Sequence, residues 1–168
     1  VVTNRANLIL NYIGNLEDGP EKDNFMGEAK AARALALFDM VRVYSKIPTQ
    51  AGSESSLGLP IITGIDPNVR ELRPPVADSY QFIVSELEEA KGLINSDNGV
   101  GRLNKDAVSA ILSRAYLYMG EYQSAVNSAD EVSTPMSSFA EVGQVWKDAS
   151  EAGVIFKIDQ DRNLDEAI

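Results

Sequence analysis

With 168 residues, 44% of them apolar, the chain can bury a proper core, and its composition is neither that of a disordered nor of a collagen-like polymer. Its 15 Lys and Arg are scattered against 25 Asp and Glu, and the net charge of -10 argues against a nucleic-acid backbone or an anionic bilayer face as direct partner. Zero Cys removes disulfides and thiolate or Cys-metal chemistry, and zero His removes the commonest acid–base group and metal ligand, so neither an enzyme nor a cofactor or metal is expected.

No apolar run is long enough to span a bilayer. The opening VVTNRANLILNYIGN lacks the basic flank, apolar stretch and cleavage site of a signal peptide. It also lacks an initiating Met and begins within a helical pattern, as expected of a processed or excised fragment. A first helix is expected over about 4–15, with Leu8, Tyr12 and Leu16 on one stripe, stopped by Gly14 and the turn at Gly19-Pro20. A second runs from about Glu21 or Asp23 to Tyr44 and is rich in Ala, Leu and Met. Phe25, Ala29, Ala32, Ala36, Met40 and Val43 form its apolar stripe, widened by Leu37, Val41 and Tyr44. Arg33 and Asp39 interrupt that surface. A buried pair of Arg33 with Glu28 or Asp39 is expected, since an unpaired charge there is costly.

Residues 45–75 hold five of the seven prolines and have no helical period. The apolar Ile47, Leu57, Leu59, Ile61 and Ile62 favour a packed excursion over a disordered one, and long ordered loops are where binding residues concentrate. A third helix spans about 76–94, with Tyr80, Ile83, Leu87, Ala90 and Ile94 on one face and Glu86, Glu88 and Glu89 on its outer side. After the turn INSDNGVGR comes a helical hairpin, 105–118 and 122–132, connected tightly through Gly120. A short helix over about 138–148 carries Trp146, and GVIFKID reads as a short strand.

Sugar recognition needs a flat aromatic face and polar groups for the hydroxyls, which leaves Trp146 and Tyr118 as candidate ligand contacts. The plainer role for Trp146 is packing against the hairpin or strand. Tyr118 stays in question because Tyr116 and Tyr118 cannot share one helical face. Tyr44, Tyr80, Tyr116 and Tyr122 stand at anchor spacing and are expected to be structural. Asp159, Asp161, Asn163 and Asp165 alternate like the start of a calcium loop, but Leu164 replaces the turn glycine, so no metal site is assigned. The carboxylates of Glu86, Glu88 and Glu89 lie on an exposed-looking helix, unsuited to a catalytic pair.

The hairpin comes close to a tetratricopeptide repeat. Leu112, Ser113 and Tyr116 have the spacing of its first-helix anchors, Gly120 and Tyr122 mark the turn, and Ala125 is the small residue of its second helix. More widely, GEAKAARALALFDMVRVYSKIP, PVADSYQFIVSELEEAKGLI, GRLNKDAVSAILSRAYLYMGEYQSAVNSADEV and EAGVIFKI, in that order, resemble the SusD/RagB family of outer-membrane nutrient-binding lipoproteins. Glu28-Ala29, Arg33-Ala34, Tyr44 with Pro48, Arg73 ahead of Tyr80, Gly101-Arg102 and Glu151 fill the family's places. The resemblance implies an all-α, TPR-like repeat scaffold with a long ordered loop and a short terminal strand. Residues 1–168 would be one helical domain, part of a longer SusD-like one, with 45–75 as an excursion. It further implies non-enzymatic capture of a glycan or peptide at the Bacteroidetes cell surface for a SusC-like TonB-dependent transporter. The membrane would be met only through an N-terminal lipidated cysteine, which this sequence lacks. The rival reading is a helical-repeat protein-interaction module without a small-molecule site.

Overall fold

Small residues on the inner faces let these helices approach closely, and their positions set the packing. The computed structural model describes residues 1–158. Its helices are α1 (Val2–Tyr12), α2 (Pro20–Tyr44), α3 (Val76–Leu93), α4 (Lys105–Met119), α5 (Tyr122–Asp130) and α6 (Phe139–Val145). Each of the first five packs on its sequence neighbour, so the chain zigzags through a helical layer. The described residues thus form an all-α, TPR-like scaffold.

Local chemistry explains the helix ends. Pro20 opens α2 at a position whose N–H would have no partner anyway. Asn104 caps α4 by accepting the Ala107 N–H at 2.9 Å. Gly120 closes α4 with φ +79°, a left-handed conformation that favours glycine. Gly27 has a different task. A Cβ there would stand 2.9 Å from the Ile94 backbone nitrogen and 3.1 Å from the Ala90 carbonyl oxygen, so α2 meets the end of α3 through bare backbone.

The core joins Ala31, Ala34, Leu37, Phe38 and Val41 of α2 to Tyr80, Ile83, Val84 and Leu87 of α3 and Val108, Leu112 and Ala115 of α4. Phe38 stands edge-on to Tyr80, ring centroids 6.2 Å apart, and to Tyr118 at 5.5 Å. Burial, with Tyr118 adding to it against Arg42, pushes the Tyr80 hydroxyl up to about 12.

The expected apolar surface of α2 is buried only in part: Ala29, Leu37 and Val41 go inside together with Phe38, while Phe25, Met40 and Val43 are exposed. In α1 the buried residues are Ala6 and Asn7, and Leu8, Tyr12 and, beyond the helix end, Leu16 are exposed. Tyr44 and Tyr122, read as structural anchors, sit mostly in solvent at helix ends. Tyr80 is fully buried and Tyr116 half-buried. No strand occurs among the described residues. Residues 154–158 are not paired into a ladder: Lys157 N donates to the Val100 carbonyl at 2.8 Å, and Asn104 Nδ2 donates to the Ile155 carbonyl at 3.1 Å. A strand needs an extended neighbour, and here the neighbours are a turn and a helix start. The calcium-like series from Asp159 lies outside the described residues.

Arg33 also has other partners than those expected. Its Nε donates to Glu86 Oε2 at 2.8 Å, Nη2 to the same oxygen at 2.5 Å, and Nη1 to Asn7 Oδ1 at 2.8 Å. Glu28 pairs instead with Arg102, and Asp39 with Arg42. Glu86 is therefore buried rather than outward. It stands three residues after Ile83 and four before Ala90, on the same face as both. Lys30 joins the cluster, 3.1 Å from Glu86 and 2.9 Å from Glu89. Burial opposes its charge, but hydrogen bonds to Glu89 and Glu86 outweigh this and raise its pKa. Glu86→Ala should strand the Arg33 charge and cost about 3–5 kcal/mol in urea unfolding, whereas Arg33→Met with Glu86→Leu should recover part of it, because Asn7 Oδ1 then loses its donor.

Asp106, in the first turn of α4, gathers the chain that leaves α5. It accepts from Thr134 N at 2.7 Å, Thr134 Oγ1 at 2.6 Å and Ser133 N at 3.1 Å. Burial pushes its carboxyl up, yet these bonds together hold it below the ordinary 3.8. A depressed folded value stabilises above the unfolded pKa, and that stabilisation is lost as pH falls through the folded one. Asp106→Asn should thus flatten the acid limb of a plot of melting temperature against pH below about 4.

Candidate functional site

Three surfaces could meet another molecule. The first is a groove of about 770 Å³ between α1, α2, the turn at 101–103 and Phe156. Ala6, Ile9, Ile13, Ala29 and Ala32 make it largely apolar, and Tyr12 and Phe25 line it. The Glu28–Arg102 pair is part of the lining, with the Arg102 guanidinium 5.8 Å from the Phe25 ring centre. Such a concavity suits apolar surface and holds no acid–base pair poised for chemistry.

The second surface lies where the 45–75 loop leaves and rejoins the helices. Arg73 secures it: Nε donates to the Gly58 carbonyl at 2.6 Å, and Nη2 donates to the Leu57 and Tyr44 carbonyls at 2.9 and 3.0 Å. The stitch ties the middle of the loop, at Leu57 and Gly58, and its closing stretch, at Arg73, to the end of α2. It leaves a shallow concavity lined by Tyr44, Lys46, Gln50, Ser56 and Arg73. Tyr44 is an exposed aromatic beside amide, hydroxyl and cationic groups, a combination its anchor-like spacing concealed.

The third surrounds α6. Glu141 accepts from both the backbone nitrogen and the hydroxyl of Ser138, at 2.9 and 2.6 Å, which fixes the start of this short helix. Met136, Phe139 and Trp146 are nonetheless almost fully exposed, Trp146 at 90%. Its expected packing against a hairpin or strand is absent, and the ring is open to contact.

Tyr118 stands elsewhere. It is half-buried, with Phe38 edge-on and the Arg42 guanidinium 5.8 Å from its ring centre, so its surroundings are those of a packing residue. Among the remaining residues singled out from sequence, Ala125 is buried, and Glu28, Arg33 and Asp39 hold the ion pairs given above. The structure does not bring Trp146 and Tyr118 together in any of the concavities described. Among the described residues no group of three or more acidic, His or Cys side chains could hold a metal, and no helix is long and apolar enough to cross a membrane.

Residues 2–117 match the SusD-like family model, described as starch-binding associating with outer membrane. The chain belongs to the SusD-like family. Among solved structures, a SusD superfamily protein from Bacteroides vulgatus ATCC 8482 is 30% identical with a TM-score of 0.85, covering 95% of this chain and 39% of that one. A laminarin-binding SusD-like protein is 27% identical with a TM-score of 0.68, covering 86% of this chain and 32% of its own. The curated SusD-like protein P38 of Formosa agariphila is 27% identical over 122 residues, 72% of this chain and 22% of that protein. The SusD-like chain described here thus spans well under half the length of these relatives. At the family level the association is with carbohydrate binding at the outer membrane.

Because Trp146 touches so little, Trp146→Ala should leave the unfolding free energy within about 0.5 kcal/mol of the parent. A larger loss in chemical denaturation would mean that the ring has a packing role.

Proposed function

We propose that this chain is the helical part of a surface protein that captures a neutral oligosaccharide, without chemistry, and hands it to a TonB-dependent transporter of the SusC type. Residues 1–168 act in this reading as one helical unit, with 45–75 as the excursion that carries part of the contact surface. The observation that carries the proposal is the match of residues 2–117 to a family described as starch-binding and associated with the outer membrane. The laminarin-binding relative makes a glucose polymer a natural first probe. The acidic balance favours a neutral ligand over an anionic one, because carboxylates repel uronic or sulfated sugars.

At the residue level, Trp146 is proposed as the stacking face, since it is the only Trp and is open to solvent. The apolar groove beside α1 favours a second kind of contact, with protein, as the adaptor reading would have it. Both can belong to one molecule that grips a ligand on one side and a partner on another.

Calorimetric titration with a panel of neutral and acidic oligosaccharides tests the capture. Saturable binding of a neutral member, weakened about tenfold by Trp146→Ala, is the expected result. No binding to any neutral glycan would overturn it and leave the protein-interaction module.

A further inference from the structure

Asn7 is a buried amide on α1 with every polar atom used, and its partners lie on different parts of the chain. Its Oδ1 accepts from Arg33 Nη1 at 2.8 Å. Its Nδ2 donates to the carbonyls of Ile62 and Gly64, at 2.8 and 2.9 Å, in the long loop. Only 3% of the residue is exposed. Among the described residues these two bonds are the hydrogen bonds that join residues 60–72 to the helices. The others within that stretch are local: Asn68 donates to Asp66, and Arg70 to the Pro67 and Val69 carbonyls. The Arg73 stitch secures only residues that flank this stretch, Leu57 and Gly58 before it and Arg73 after it.

An amide side chain can sit either way round, and the arginine removes the choice. A guanidinium carries donors alone, so it can face only Oδ1. That turns the NH2 group outward, where each of its hydrogens meets one loop carbonyl. The guanidinium is in turn held by Glu86 on α3. A relay therefore runs from Glu86 through Arg33 and Asn7 to the loop, and orientation is passed along it without any group changing charge.

We propose that Asn7 is a latch: the Glu86–Arg33 pair sets its amide, and the amide holds residues 60–72 as a strap against the bundle. The strap opens when the latch loses its donors, uncovering the half-buried Ile61 and Ile65 while the helices stay packed. This proposal does not depend on what the protein captures.

Asn7→Asp separates the latch from the helix junction. The aspartate keeps its contact with Arg33 and gains charge attraction there, but it presents oxygen to the Ile62 and Gly64 carbonyls. Tryptic cleavage after Arg70, inside the strap, should then rise roughly tenfold or more, as expected for two lost hydrogen bonds. Cleavage after Lys46, outside the strap, should not change, and neither should the thermal midpoint by more than a few degrees. Equal cleavage after Arg70 in both proteins would overturn the latch, since apolar packing alone would then hold the strap. A general rise at both sites would also overturn it, by showing that Asn7 serves the whole fold. The unmodified protein gives a check that needs no variant: the Asn7 side-chain amide protons should exchange with water slowly, and fast exchange would rule the latch out.

Discussion

The charge of Arg33 is the constraint from which much of the architecture follows. A buried guanidinium is tolerated only where its donors are met, and here they are met by Glu86 from α3 and Asn7 from α1. Turning α3 by one residue would swing Glu86 about 100° around the helix and strand both charges. The pair therefore acts less as glue than as a register pin, making alternative packings of the same alanine-rich faces expensive. Lys30 and Glu89 extend it to the surface, where water screens the last members.

Around this pin the molecule is well packed on the inside and unusually apolar on parts of its outside. The α1 groove and the residues around α6 expose Phe25, Tyr12, Phe139 and Trp146. Membership of the SusD-like family gives these surfaces a context, because the relatives' chains are more than twice as long as this one. A helical layer of this kind works as a frame: the positions held rigid by α2, α3 and α4 determine where the loop and the α6 region can reach.

Much of the helical framework was legible in the sequence, for identifiable reasons. The alanine and leucine content of α2, the three-and-four spacing of α3 and the Gly120 turn are local signals, and local signals survive whatever the tertiary structure does. Which face of α2 would be buried was not legible, because its second half is apolar nearly all round and only its neighbours decide. Glu86 was misplaced because charge suggested solvent, although its spacing from Ile83 and Ala90 put it on the buried face. The terminal strand is not formed among the described residues because strands are made by pairing, and no pattern within residues 153–158 can supply the partner. For the candidate site, the aromatic character of Trp146 was visible but its exposure was not. Asn7 was invisible, since its meaning lies in three contacts distant in sequence.

Gly27 ties these threads to a single hydrogen atom. Where α2 runs past the end of α3, the missing methyl is what permits backbone to lie on backbone. Any heavier side chain would wedge the two rods apart at that end, and Arg33 lies only about 9 Å farther along the same rod. Levering the crossing open there would tilt the guanidinium away from its carboxylate. Sequence drift at this crossing is thus limited by a residue that has no side chain to offer.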